Sequence, residues 1–343
     1  MLRREVAFRI LAAFLMVAIG SFFAGCSKDD DNPLQPQKTE YEAVQPALNT
    51  YVAGSLAPTI TAQSLFDNIN DGNASNDYYV LSVRSATDYA KGHIPGAANI
   101  FWKDIAKSEN LATLPHDKKI ALYCYTGHTG AVATTILNAL GYEAYNLKFG
   151  IGAWTRDPNV LVAAAFNDAT DAHDFAVETT VNAPTATYAL PATNFTESQD
   201  ATEIVRAAAH AYASVKTPTI TAQAVFDNLN DGNTANDPVI LSVRSAADYS
   251  KGHLPGAINI PWKDITKEDN LKKLNPAKQI VVYCYTGHTA GIATTALNML
   301  GYDAVNMKFG IMSWTRDANV RTAAPFNEAT DAHDFAVNTG TTP

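Results

Sequence analysis

The chain of 343 residues has only three cysteines, Cys26, Cys124 and Cys284. So few exclude a small scaffold stapled by disulfides. Clustered basic residues are also missing: 25 Lys and Arg stand against 34 Asp and Glu, a formal charge of -9. Without a basic stripe, neither nucleic acid nor an anionic membrane surface is expected as a charge-driven partner. The apolar stretch from Ile10 to Phe23 falls short of the ~20 residues needed to span a bilayer. Metal-ligand spacing is poor too. The nearest approaches, Asp171-Ala-His173-Asp174 and Asp331-Ala-His333-Asp334, hold one histidine each and read as solvated helix ends, so no metal is expected. What remains, 47% hydrophobic and 17% charged, is the composition of ordinary globular protein.

The first residues stand apart from the rest. Arg3, Arg4 and Arg9 flank the apolar stretch, and Phe23-Ala24-Gly25-Cys26 closes it with small residues before a cysteine. This resembles a bacterial lipoprotein signal peptide, residues 1–25, with Phe23 at a position more often Leu. The residues after Arg3-Arg4 do not fit a twin-arginine pattern, so general secretion is expected. The resemblance implies that Cys26 becomes the lipidated first residue. Residues 26–40, with Lys28-Asp29-Asp30-Asp31, then form a polar tether. The expected location is the bacterial cell envelope, lipid-anchored. Ser27, rather than Asp, after the anchor favours the outer membrane, with the protein facing periplasm or cell surface.

From Pro58 to Val177 the chain matches Pro218 to Val337 without gaps, at a constant step of 160 residues. Units this long are whole domains. The expected division is a first domain over 41–177, a linker rich in Thr, Ala, Pro and Asn over 178–200, a second domain over 201–337 and a tail over 338–343. Val44 to Val52 and Ile204 to Val215 suggest short helices ahead of each copy. Thr61 and Thr221 fit helix caps. Strands are expected at 79–83, 97–100, 120–123 and 144–147 and at their equivalents. Strands alternating with helices imply an α/β fold, with one mostly parallel sheet per domain flanked by helices.

Cys124 and Cys284 occupy the same setting, Cys-Tyr-Thr-Gly-His-Thr followed by Gly130 or Ala290. Each lies between the end of a buried strand and an apolar helix. The unpaired amides at a helix start face whatever anion the turn encloses, and the positive helix end favours an anionic nucleophile. Repeat-equivalent cysteines in two domains are badly placed to bridge, so both are expected to be free and functional.

Val83-Arg84, Asp88-Tyr89, Gly92-His93-Ile94-Pro95-Gly96-Ala97 and Cys124-Tyr-Thr-Gly127 follow one another in the order of the rhodanese family's motifs. Val243-Arg244, Asp248-Tyr249, Gly252-His253-Leu254-Pro255-Gly256-Ala257 and Cys284-Tyr-Thr-Gly287 repeat them. The chain thus resembles two tandem rhodanese-like domains. The resemblance implies a sulfurtransferase or sulfane-sulfur carrier: Cys124 and Cys284 take sulfur as persulfides from a small sulfur donor and pass it to a thiol or other nucleophile, with no cofactor. Tyr125, Thr126, Gly127, His128, Thr129 and Gly130 would then cradle the persulfide in one copy. Tyr285, Thr286, Gly287, His288, Thr289 and Ala290 would do so in the other.

Some positions depart from the family. Ser82 and Ser242 replace the usual Asp before Val-Arg, and the loops carry Tyr, Thr and His where thiosulfate-specific members place Arg or Lys, so thiosulfate is a doubtful donor. Related phosphatases end the loop in Arg, which Gly130 and Ala290 exclude. His128 and His288 are the expected acid-base or anion-binding companions of the thiols. Arg84 with Asp88, and Arg244 with Asp248, are expected to pair internally and support the loops. His93 and His253 are expected to brace the Pro-Gly turns, and Trp154 and Trp314 to pack in the core. The rival to catalysis is a non-catalytic binding or scaffold subunit of an envelope redox complex, with redox proteins of the envelope as partners.

Overall fold

The computed structural model describes residues 39–342. The signal-like segment, Cys26 and nearly all of the tether lie outside them. In chain order the first copy contains α1 (Glu40–Val52), β1 (Thr59–Ile60), α2 (Ala62–Ile69), β2 (Tyr79–Ser82), α3 (Ala86–Lys91), β3 (Ala98–Asn99), α4 (Ser108–Leu111), β4 (Ile120–Tyr123), α5 (His128–Ala139), β5 (Ala144–Leu147), α6 (Ile151–Trp154) and α7 (Asp168–Asp171). The second contains α8 (Ala201–Val215), β6 (Thr219–Ile220), α9 (Ala222–Leu229), β7 (Val239–Ser242), α10 (Ala246–Lys251), β8 (Ile258–Asn259), α11 (Glu268–Leu271), β9 (Ile280–Tyr283), α12 (His288–Met299), β10 (Ala304–Met307), α13 (Ile311–Trp314) and α14 (Glu328–Asp331). Among the described residues, no helix is long and apolar enough to cross a membrane.

Each copy builds a five-stranded sheet, in the orders β1-β5-β4-β2-β3 and β6-β10-β9-β7-β8. All pairings are parallel. The central strand β4, Ile-Ala-Leu-Tyr, is buried along its whole length because helices cover both faces, which is why it reads as an unbroken apolar run. Thr61 and Thr221 cap α2 and α9 by accepting the amides of Ser64 and Ala224 at 3.1 and 3.2 Å.

The copies are not separate beads. Helices α5 and α12 are buried nearly all round, because each lies between its own sheet and the other helix. One apolar cluster runs through both, joining Val132, Ile136 and Leu137 to Ile292, Ala296 and Leu297, with Leu48 of α1 and Ala208 of α8 packed in. Helices α1 and α8 also contact each other.

The expected boundary at residue 177 does not follow the packing, because the copies exchange their last segments. Phe175 stacks on Phe226 at 4.0 Å in the second copy, and Trp314 Nε1 donates to the Ala176 carbonyl at 2.8 Å. Reciprocally, Phe335 stacks on Phe66 at 4.0 Å in the first copy, and Trp154 Nε1 donates to the Ala336 carbonyl at 2.9 Å. Both tryptophans are buried in core packing. The two Asp-Ala-His-Asp motifs are latches for this exchange: Arg316 pairs with Asp174 at 2.9 Å, and Arg156 with Asp334 at 2.8 Å. The expected linker is also tied down. Glu178 bridges to His253, the Tyr188 amide donates to the Lys272 carbonyl at 2.8 Å, and the Thr196 amide donates to Glu40 at 3.0 Å.

Candidate active site

The strand β4 ends at Tyr123, and the chain turns at once into α5, so Cys124 sits where sheet and helix meet. Its side chain is 1% exposed, as is that of Cys284, and both are free thiols. The Gly127 amide donates to Cys124 Sγ at 3.0 Å, and the Gly287 amide to Cys284 Sγ at 3.1 Å. Those bonds need the backbone to curl back over the sulfur. Gly127 and Gly287 do so at φ 92° and 94°, the left-handed region that a side chain disfavours.

Each loop is held from below. The Ile151 and Ile311 amides donate to the carbonyls of Cys124 and Cys284, both at 2.9 Å. Tyr125 donates its hydroxyl to Asp88 at 2.7 Å and accepts the Ser85 amide at 3.2 Å; Tyr285 does the same with Asp248 at 2.6 Å and Ser245 at 3.2 Å. Partial burial works against the Asp88 carboxylate, but hydrogen bonds from Lys91, Tyr125 and Ser85 outweigh it and hold its pKa down to about 2. Asp248 is held down in the same way, with Tyr285 as its strongest hydrogen-bond partner.

The expected pairing of Arg84 with Asp88 does not occur. Asp88 faces Lys91 at 2.7 Å, while Arg84 is fully buried, donates to the Gly92 carbonyl and lies 5.4 Å from the Tyr123 ring centroid. Arg244 likewise donates to Gly252 and lies 5.5 Å from the Tyr283 centroid, and Asp248 faces Lys251 at 2.9 Å. The arginines hold the backbone of the Gly-His turn, and the aspartates hold the loop tyrosines. His93 and His253 are buried within those turns, and their Nδ1 atoms contact the Tyr89 and Tyr249 carbonyls at 3.1 and 2.8 Å.

His128 and His288 depart furthest from expectation. Each is buried and points across to the other copy: His128 Nε2 accepts the Phe309 amide at 3.1 Å, and His288 Nε2 accepts the Phe149 amide at 3.3 Å. Burial, the proximity of His288 and Lys308 push the His128 pKa well below 6.5; burial and Lys148 push that of His288 down to about 4. Neutral imidazoles bonded to backbone cannot serve as the titrating anion-binding groups expected from the sequence. The amino groups of Lys148 and Lys308 lie 4.7 and 4.5 Å from the ring centroids of Phe149 and Phe309, and each acts on the histidine of the opposite copy. Thr126 and Thr286, with Phe149, Phe309, Phe166 and Phe326, line one apolar cavity of about 10 Å³ between the copies. Thr129 and Thr289 are half-buried; Gly130 and Ala290 are buried in the first turns of α5 and α12.

Two residues escaped the reading of the sequence. Asn146 and Asn306 donate from Nδ2 to the carbonyls of Gly127 and Gly287, both at 2.8 Å, and so fix the apex of each loop. An asparagine inside a buried strand, at the same place in both copies, was the available signal.

A family model for the rhodanese-like domain matches residues 61–157 and again 221–317. The chain belongs to the rhodanese-like family. Both matched stretches stop short of the exchanged segments around Phe175 and Phe335. Among curated relatives, the probable adenylyltransferase/sulfurtransferase MoeZ of Mycobacterium tuberculosis is 27% identical over 266 residues, 73% of this chain and 64% of that protein. The chain therefore spans less than two thirds of that relative. The 3-mercaptopyruvate sulfurtransferase of Escherichia coli is 25% identical over 67% of this chain and 82% of its own length. The thiosulfate sulfurtransferase of Pseudomonas aeruginosa is 25% identical over 70% of this chain and 88% of its own. In each copy the cysteine loop joins a parallel strand to a helix.

Proposed function

We propose that the protein is a sulfurtransferase or sulfane-sulfur carrier that works through persulfides on Cys124 and Cys284 at the bacterial cell envelope, held there by lipid on Cys26. The observation that carries the chemistry is the amide of Gly127 or Gly287 donating to sulfur at 3.0 or 3.1 Å. A donor of this kind stabilises charge on the bound sulfur without reorganising during reaction. Membership in the rhodanese-like family and relatives named as sulfurtransferases support the same reading.

In the first half-reaction the cysteine thiolate attacks the outer sulfur of the donor. The new S–S bond forms as the donor's own bond to that sulfur breaks, and its electron pair leaves with the departing group, sulfite in the case of thiosulfate. In the second half-reaction an acceptor thiolate, or cyanide, attacks the outer sulfur of the persulfide. The S–S bond breaks, sulfur leaves on the acceptor, and the cysteine thiolate returns. No net redox change and no cofactor are required. Because His128 and His288 are held neutral and turned away, the loops meet a dianion with amides and without charge from either imidazole, so persulfide or polysulfide donors suit them better than thiosulfate. Donor and acceptor are small molecules or thiols, with redox proteins of the envelope as further acceptors.

The decisive measurement is intact-protein mass after exposure to polysulfide and removal of excess donor. A gain of up to two sulfur atoms, located on Cys124 and Cys284 and discharged by an added thiol, is expected; a protein that never acquires sulfur at either cysteine is not a sulfurtransferase. For the anchor, wild-type protein should fractionate with membranes and carry an acyl mass on Cys26, whereas Cys26→Ala should lose both. Wild-type chains cleaved elsewhere and free of lipid would overturn that part.

A further inference from the structure

We propose that His128 and His288 are crosswise positioning residues, each carried by one thiol loop but setting the geometry of the other. His128 heads α5 in the first copy, directly after Gly127 in the loop of Cys124. Its Nε2 accepts the amide of Phe309, 3.1 Å away in the second copy. A nitrogen that accepts carries no proton, so the proton lies on Nδ1 and is donated to Thr126 Oγ1 at 2.9 Å. The ring is thereby fixed at both ends.

What His128 holds bears directly on the other thiol. Phe309 has φ 63°, a left-handed conformation costly for a residue with a side chain, which persists where its surroundings impose it. From this turn the Ile311 amide donates to the Cys284 carbonyl at 2.9 Å, and the Met312 amide to the Tyr285 carbonyl at 3.4 Å. The line of support runs from the His128 imidazole to the Phe309 amide, through the strained turn, to the backbone of Cys284. It is mirrored: His288 Nε2 accepts the amide of Phe149, which has φ 66°, and the Ile151 amide donates to the Cys124 carbonyl.

Close packing tightens the link. A Cβ on Gly287 would stand 2.3 Å from His128 Nε2, and one on Gly127 2.2 Å from His288 Nε2. The two imidazoles stack on each other with ring centroids 6.0 Å apart and planes 21° from parallel. Each glycine over a sulfur is therefore backed by the histidine of the opposite copy, and neither loop reaches its observed shape alone.

The inference rests on Cys124 and Cys284 being the reactive thiols, and its test reads thiol reactivity directly so that it can fail separately from sulfur transfer. In the full-length protein, iodoacetamide labelling of the two cysteine peptides is followed by mass spectrometry, with polysulfide loading measured in parallel. His128→Ala should change the labelling rate of Cys284 by about three- to tenfold, the equivalent of one net hydrogen bond, and that of Cys124 by less. His288→Ala should give the mirror pattern. His128→Gln and His288→Gln, whose side-chain carbonyls can accept the same amides, should restore rates towards wild type. An effect confined to the loop that carries the substitution, an equal effect on both cysteines, or no rescue by Gln would overturn the proposal. Should the Ala variants fail to fold, histidine-selective ¹⁵N spectra of the unmodified protein decide it: both Nε2 atoms should be unprotonated at neutral pH, and protonated Nε2 would refute it.

Discussion

Where the two thiol loops run on into their helices, the copies differ by an inversion: Gly130-Ala131 in α5 stands against Ala290-Gly291 in α12. The structure supplies the reason. Ala131 and Gly291 are repeat equivalents, and they meet; a Cβ on Gly291 would lie 2.8 Å from that of Ala131. Where helices related by an internal twofold touch, a residue faces its own counterpart, and two alanines overlap where one alanine and one glycine fit. The change between Ala131 and Gly291 is thus a packing adjustment between the copies, whereas Gly130, which stands against Ala290, faces its own copy, where a Cβ would stand 2.2 Å from Asn146 Oδ1. The amide-to-sulfur distances stay at 3.0 and 3.1 Å. Equivalent thiols predict equivalent chemistry.

The strongest way to break that symmetry is to remove one sulfur. Cys124→Ser and Cys284→Ser should each keep roughly half of the sulfur transfer, as expected for two sites whose losses add, and the double variant should fall to background. Turnover with polysulfide and a thiol acceptor measures this. A single substitution that silences the protein would mean that sulfur passes through the two cysteines in series.

Acid should act on both copies at once, through the histidines between them. His288 has a folded pKa of about 4, and His128 is shifted in the same direction, mainly by burial. A folded-state pKa below the unfolded value of ~6.5 means that the native state resists protonation. The stability is present above ~pH 6.5 and is lost as pH falls towards 4, on the order of 3 kcal/mol for His288. Urea midpoints between pH 8 and 4.5 should show that slope, and the double variant His128→Gln with His288→Gln should flatten it. The same neutrality implies that thiosulfate turnover gains nothing from these residues on acidification, contrary to what their place in the sequence suggested.

The inversion itself can be tested as a cycle. Gly291→Ala should cost ~1–3 kcal/mol by overpacking against Ala131. Ala131→Gly should cost about 1 kcal/mol through helix propensity. Together they exchange the two residues across the helix pair, so the double variant should recover most of the Gly291→Ala loss. Additive penalties in denaturant melts would mean that the two positions do not share the contact.

Much of this fold was legible because the signals were local. The repeat, the buried strand β4, the caps Thr61 and Thr221 and the strand-to-helix turn at each cysteine all follow from periodicity and residue type over a few positions. Much of what escaped depended on contacts between the two copies, far apart in the chain. No local pattern says that Phe175 packs in the second copy while Phe335 packs in the first, or that His128 faces Phe309 instead of Cys124. The Arg84–Asp88 pairing looked natural from opposite charges four residues apart, but the arginine points into the core and the aspartate towards the loop tyrosine. Asn146 was legible in principle: a buried amide repeated in two apolar strands needs partners, and the loop apex supplies one.

The smallest predicted effect separates the copies at the exchanged segments. In the second copy Glu178 accepts the Gly256 amide at 2.7 Å and bonds Asn182, and His253 Nε2 contacts the Thr180 carbonyl at 3.0 Å. Asn338 holds the equivalent place beside His93 in the first copy, pairing through backbone alone, and His93 Nε2 is buried without a hydrogen-bond partner. The Glu178 carboxylate is a third exposed, so water offsets part of its loss. Glu178→Ala should therefore weaken the second copy by about 1 kcal/mol. Hydrogen exchange can read this locally: the Gly256 amide should lose protection while the Gly127 and Gly287 amides over the sulfurs keep theirs. If the loop amides opened as well, the exchanged segment would be part of what shapes the thiol sites, and the difference between the copies would reach the chemistry after all.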